Sequence, residues 1–294
     1  LEDVCSKETI LATTITSHSV THLAKETQHP SRILGIHCSP LASSYEVVEV
    51  IYTSYTDMEI AEDFCRFLVE LGKFPVLVKD MPGFLLGRVL TPYLNEALLL
   101  LEEGALVEEI DHAMVRFGFD YGPLAIIDRM GMDDLYYFSK TLEETLPYYK
   151  PSALIEKFYK NGRLGVKSGK GFYLLENSTL EHVDPKIYDL IKDIRKERKK
   201  VEEEVIVDRL LLPLIREAVQ CLEEGIVNDP KTLEVALSFG MAFPPGRGGI
   251  LKYAESMGLD NVVKGLKRLR KNLGERFEPG EILMNYCQKK KQIV

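Results

Sequence analysis

An internal repeat limits how this chain can fold more than any other feature. Arg88, Pro92, Glu96-Ala97 and Leu101-Glu102-Glu103-Gly104 recur 121 positions later as Arg209, Pro213, Glu217-Ala218 and Leu222-Glu223-Glu224-Gly225. Phe117-Gly118 recurs as Phe239-Gly240, and Met130-Gly131-Met132-Asp133 as Met257-Gly258-Leu259-Asp260. Matched landmarks in one order imply two copies of one helical unit, which can pack on each other as an internal pseudo-dimer. In the first copy, Gly87 to Glu103 reads as a long amphipathic helix stopped by Gly104, and Val107 to Phe117 as another stopped by Gly118. Leu101 and Leu222 are then expected to be equivalent and buried.

The residues before the repeat follow another pattern. Ile10 to Thr13 reads as a strand and Val20 to Thr27 as a helix. Ile33 to Ile36 and Val47-Val48 read as buried strands with a Ser- and Pro-rich turn between them. Asp57 to Leu71 is a helix with Asp57 as cap and Gly72 as stop, and Phe74 to Val78 a further strand. This alternation predicts a parallel-rich α/β sheet. No GxGxxG follows an early strand and no P-loop occurs in the 294 residues. The opening Leu1-Glu2-Asp3-Val4 is acidic, unlike a signal peptide, and reads as the middle of a helix. The pattern is that of the second half of a doubly wound nucleotide domain.

The expected fold is therefore a partial Rossmann-type α/β sheet followed by two repeated all-α domains. The expected boundaries are 1–80 for the half sheet, 81–178 for the first helical domain, 179–204 for a charged linker and 205–294 for the second helical domain. Lys196 to Lys200 and Glu202 to Glu204 make that linker a solvated helix or a spacer. Asn161 to Tyr173 is Gly- and Lys-rich and reads as a loop ending in a short extended piece.

The net charge of -8 argues against a general nucleic-acid or anionic-membrane binder. Five scattered Cys without CxxC spacing fit reduced thiols and leave no disulfide or zinc framework. Membrane association is not evident, since no apolar run approaches the ~18 residues a span requires.

The chemistry points to Arg32–Val50. His37 ends the first buried strand, and Glu49 lies between two valines on the second. An acid in an apolar strand is costly unless paired. A carboxylate behind an imidazole fixes its tautomer and raises its basicity, as a general base requires. The alternative is a structural histidine and a solvated edge glutamate.

Several strings together resemble the 3-hydroxyacyl-CoA dehydrogenase family: GIHCSP, VVEV, PGFLLGR, YLNEALLLLEEGA, FGFDYGP and GVKSGKGFY. The duplicated helical part and the tail from Gly258 resemble the multifunctional β-oxidation members, of the trifunctional-protein α-subunit type. The resemblance implies NAD as cofactor and (S)-3-hydroxyacyl-CoA as substrate, oxidised to 3-ketoacyl-CoA in fatty acid β-oxidation. It assigns His37 as catalytic base and Glu49 as the residue that orients it. It places Thr16 at the family's hydroxyl near substrate and nicotinamide, with Thr14 towards the cofactor. Lys167 matches a lysine that contacts the dinucleotide; otherwise it is a solvated loop lysine.

The departures bear on activity. The family's Asn before the Arg of PGFxxNR, which bonds the substrate carbonyl, is Gly87 here. The family's aromatic pair after the histidine is shortened to Cys38-Ser39, which makes Ser39 a candidate substrate contact. The Gly-rich turn that holds pyrophosphate is absent, so these 294 residues are expected to bind NAD poorly. Two functions follow: the dehydrogenase portion of a multifunctional enzyme, or a non-catalytic scaffold. Either would join a thiolase subunit or form a homo-oligomer. The mitochondrial matrix or the bacterial cytoplasm suits both better than the peroxisome, since the ending Gln292-Ile293-Val294 is no SKL signal.

Overall fold

In the computed structural model, which describes residues 1–16, 18–39, 47–176, 179–289 and 293, the α/β part comes first. It consists of β1 (Leu11–Thr13), α1 (Val20–Lys25), β2 (Ile33–Cys38), β3 (Val47–Tyr52), α2 (Met58–Glu70) and β4 (Phe74–Lys79). The strands form one sheet in the order β1-β2-β3-β4. Parallel pairing joins β1 to β2 and β3 to β4, but β2 and β3 are antiparallel. The expected parallel-rich sheet is thus mixed. Only residues 39–46 connect β2 to β3, whereas a parallel crossover needs about a dozen or more. The Ser- and Pro-rich turn read there falls mostly on 40–46, outside the described residues. The Asp57 carboxylate caps α2 by accepting from the Glu59 N–H, and Gly72 follows the helix at φ +72.

The opening residues correct the reading of Leu1–Val4 as mid-helix. They form a single turn, in which the Val4 and Cys5 N–H groups donate to the Leu1 carbonyl. The Glu2 carboxylate accepts from the backbone of Gln28 and His29 at 2.8 and 2.9 Å, which ties this turn to the loop before β2 instead of continuing a helix.

The first helical part is α3 (Leu86–Glu102), α4 (Val107–Phe117), α5 (Pro123–Met130), α6 (Met132–Thr145) and α7 (Ala153–Lys160). A hairpin of β5 (Tyr173–Glu176) and β6 (Thr179–Val183) and the short α8 (Lys186–Leu190) follow. The second helical part is α9 (Glu203–Glu223), α10 (Pro230–Gly240), α11 (Ile250–Met257), α12 (Leu259–Leu273) and α13 (Glu281–Lys289). The charged segment read as a linker is more ordered than a solvated spacer: it contains β6 and α8. Beyond them, the Lys196 and Lys199 N–H groups bond the carbonyls of Glu102 and Gly104 at the end of α3.

Helix α3 is the axis of the molecule, with 14 of its 17 residues buried. A helix apolar almost all round belongs in a core. It packs against α9, and the charges buried between them are exchanged. Arg88 on α3 bonds Glu217 on α9 and Glu224 just past its end, both at 3.0 Å, while Arg209 on α9 bonds Glu96 on α3 and Glu103 just past its end at 2.7 and 2.6 Å. Leu101 is fully buried, as expected, but Leu222 is only partly so. The backbone of residues 196–199 covers the end of α3, whereas past α9 the Ile226 carbonyl accepts from Lys79 at the end of β4.

Candidate active site

His37 and Glu49 are direct partners across the antiparallel β2–β3 pair. Directly opposed residues project from the same face, so strand register alone brings the two side chains together. His37 Nδ1 bonds Glu49 Oε2, which leaves Nε2 for the cleft. Glu49 is wholly buried and its other oxygen is also committed: Oε1 accepts from Leu85 N at 2.8 Å and Leu86 N at 3.0 Å. These are the leading N–H groups of α3, where a negative charge is favoured. One carboxylate therefore ties the sheet, the imidazole and the central helix together. Phe84, at φ +53 just before α3, packs its ring 6.0 Å from His37, and Phe138 of α6 stands edge-on to the imidazole at 5.6 Å. A bulky residue with positive φ is strained, and such strain is held where the surroundings fix it.

The cleft beside His37 is a pocket of about 320 Å³. Thr14, Thr16, His37, Ser39 and Gly87 all line it. Five of the site residues read from the sequence thus share one cavity with the dyad behind it. Lys167 does not reach this cavity. Its ammonium is held by Asp133 at 3.1 Å and by Asp134 at 2.7 Å, and only Asp134 lines the pocket. The Ser39 hydroxyl donates to the Gly240 carbonyl at the end of α10, which ties the strand end to the second helical part. At Gly87 a Cβ would lie 2.6 Å from the Phe138 ring, so the volume a side chain would need is already filled. Burial pushes the Cys38 thiol up, away from a ready thiolate.

Thr91 and Phe138 are among the lining residues that escaped the sequence reading. Thr91 lies four positions past Gly87, on the same face of α3. Its polarity in an otherwise apolar helical run was the available signal. Phe138 gave none, because nothing in a sequence says which ring of α6 will face α3.

The donors present fit the reacting end of a nicotinamide cofactor: Thr14 and Thr16 border the cavity beside His37. Among the described residues the dinucleotide's phosphates find no matching cradle, since no GxGxxG occurs in them and Lys167 is paired with two aspartates.

This architecture is a Rossmann-like, NAD-binding portion followed by a helical C-terminal part, the plan of an NAD-dependent oxidoreductase. The family model for the 3-hydroxyacyl-CoA dehydrogenase C-terminal domain matches residues 83–175 and 205–292, and that for the NAD binding domain matches 1–81. The chain belongs to the 3-hydroxyacyl-CoA dehydrogenase family. A fatty acid oxidation complex subunit alpha from Shewanella amazonensis is 34% identical over 96% of this chain and 40% of its own length. The chain thus spans well under half of that relative. The solved 3-hydroxybutyryl-CoA dehydrogenase from Escherichia coli K12 shares the fold, with a TM-score of 0.78 at 24% identity over 98% of this chain and 77% of that one. The (S)-3-hydroxybutyryl-CoA dehydrogenase from Ralstonia eutropha is 32% identical, with a TM-score of 0.54 over 60% of this chain and 63% of that one.

Proposed function

We propose that this chain forms the dehydrogenase portion of an enzyme oxidising (S)-3-hydroxyacyl-CoA to 3-ketoacyl-CoA in fatty acid β-oxidation. The observation that carries this is the His37–Glu49 pair, closed behind the pocket by two backbone donors of α3. A scaffold without catalysis would need neither the buried carboxylate nor its fixed geometry. NAD+, when bound, supplies the hydride acceptor for C3. His37 Nε2 takes the proton of the C3 hydroxyl as the carbonyl forms. The resulting imidazolium faces the Glu49 carboxylate, so the new charge is not left unpaired at the cavity wall. Thr16 and Ser39 border the substrate, and Thr14 the cofactor.

The second helical part, on this proposal, is a structural copy of the first. Reciprocal Arg–Glu bonds across α3 and α9 support it, as does a shared carboxylate clasp. Asp111 accepts from the N–H groups of Leu124 and Ala125 at the start of α5, and Glu234 accepts from Leu251 and Lys252 at the start of α11. Assembly with a thiolase subunit or a second copy is supported by the relative's name as a complex subunit. Exposed Phe67, Leu71 and Phe74 offer apolar contact for it. No described helix is long and apolar enough to cross a membrane. The bacterial cytoplasm or the mitochondrial matrix remains the proposed setting.

The test is His37→Gln in a protein that joins this chain to a complete dinucleotide domain. A positioned general base contributes about 10²–10⁴-fold, so kcat should fall by that factor with acyl-CoA binding nearly intact. Glu49→Gln should also lower kcat, and the double variant should be little worse than His37→Gln, since both disable one unit. A fully active His37→Gln enzyme would reject the mechanism.

A further inference from the structure

We propose that Thr91 is a substrate-contacting residue whose hydroxyl donates to an acyl carbonyl oxygen of the bound thioester, in place of the side chain that Gly87 lacks. The inference rests on the acyl-CoA reading of the pocket and adds a residue to it. Thr91 is 2% exposed and lines the cavity that His37 and Thr16 also line. Among the described residues its hydroxyl makes no hydrogen bond. A helical threonine ordinarily bonds the carbonyl three or four positions back. Here Pro92 has no N–H, which leaves the Arg88 carbonyl without its usual helical donor, yet Thr91 does not turn to it. Nor is the oxygen sealed in, since it is not among the fully enclosed unpaired atoms. The little surface Thr91 keeps therefore includes its hydroxyl, and that surface opens on the pocket.

The second helical part supplies the contrast. The position 121 residues on from Thr91 is Leu212, 1% exposed, with its side chain packed over Gly265 of α12. Where this helix face closes on its neighbour it carries leucine; where the face opens on the cavity beside the dyad it carries an unpaired hydroxyl. A hydroxyl that no protein group satisfies and that opens on the pocket is free to donate to a ligand oxygen there. Gly87, one turn earlier, has no donor to offer, and the Phe138 ring fills the space a side chain there would take.

The experiment measures binding of three ligands to the full chain by titration calorimetry. Acetoacetyl-CoA carries both the C1 and C3 oxygens, butyryl-CoA lacks the C3 oxygen, and S-(3-oxobutyl)-CoA lacks the C1 oxygen. Thr91→Val should weaken acetoacetyl-CoA about 3- to 10-fold, the range of one neutral hydrogen bond. Thr91→Ser should stay near wild type. The same loss should appear with one of the two analogues and vanish with the other, which identifies the oxygen held. Equal loss with all three ligands would indicate packing and overturn the proposal, as would no loss with any. Failure of the wild-type chain to bind all three would remove the acyl-CoA reading itself, and the role of Thr91 with it.

Discussion

The two helical parts differ most where their long helices are most alike. On α3, Gly87 and Thr91 are small, and the bulk facing Gly87 comes from Phe138 of α6. On α9, the positions 121 residues later are Asp208 and Leu212, and the bulk comes from Leu212 itself, packed over Gly265 of α12. Phe138 and Gly265 occupy the same place in their helices, each six residues past the first. Bulk has moved from one helix to its neighbour. In the first part this leaves the α3 face open towards the sheet and the His37–Glu49 pair; in the second the same face is closed. On the proposal that the second part is a copy of the first, one scaffold carries a cleft in one place and a plug in the other, and the choice rests on a few side-chain volumes.

The largest expected effect tests whether α3 and α9 are locked equivalently. Arg88→Met would leave Glu217 and Glu224 without that guanidinium, and Arg209→Met would do the same to Glu96 and Glu103. Breaking a buried pair from one side costs about 3–5 kcal/mol. Urea unfolding should show losses of that order for both variants. Other donors remain at the broken pairs, Arg216 and Tyr148 at Glu217, Gln220 at Glu224 and Arg276 at Glu96, so neither variant should stand out. A loss confined to one variant would break the equivalence of the two helices.

Much of this was legible in the sequence, for reasons that particular residues show. His37 and Glu49 could be paired on paper because both lie on strands with strong apolar signals, and strand register is a short-range property. The exchange of Arg88 and Arg209 was half legible: the repeat marked both residues, but not that each would reach the other's glutamates. Lys167 was legible as a position and not as an environment, because Asp133 and Asp134 meet it only once α6 is folded back. The antiparallel turn of β3 was available from loop length alone and outweighed by the helix–strand alternation around it. Leu222 differs from Leu101 because the chain segments that pass each helix end differ, which no repeat can record.

A middle-sized effect probes the cleft side of the comparison. Gly87→Asn restores the family's residue but drives its side chain into the Phe138 ring. Overpacking of this kind costs about 1–3 kcal/mol. Stability and 3-ketoacyl-CoA binding should both fall, and the second change Phe138→Ala should recover part of the binding. Asp208→Asn, at the matched position of α9, loses only a partly exposed bond to Arg268 and should change stability by less than about 1 kcal/mol. If Gly87→Asn instead tightens binding without loss of stability, the ring yields and the cleft is more plastic than its packing implies.

The smallest effect is a pH dependence that should belong to the first helical part. Burial pushes Asp111 up to about 6 and Asp128 up to about 7, against the backbone donors that hold their charged forms. Asp128 accepts from Phe172 and Tyr173 at 2.9 Å and so fastens β5 to α5. In the second part, Glu234 repeats the clasp of Asp111 from a partly buried position, and burial raises it too, though not to the extent of Asp128. A carboxyl with a raised folded value binds its proton more tightly folded than unfolded. Its stabilising contribution is complete below the unfolded value near pH 4 and is lost as pH rises through the folded value near 7. Thermal unfolding of the wild type at pH 5 and pH 8 contains this loss, whereas a carboxylate such as Asp184, whose value is lowered, is ionised throughout and contributes equally at both. Asp128→Asn removes the titration, so stability should decline less over that interval, by about 1 kcal/mol or somewhat more. Glu234→Gln should flatten the interval less than Asp128→Asn does, since its value is raised less. Equal flattening by both variants would show that the second part keeps as much buried charge as the first, and that openness to the cleft is the only difference between them.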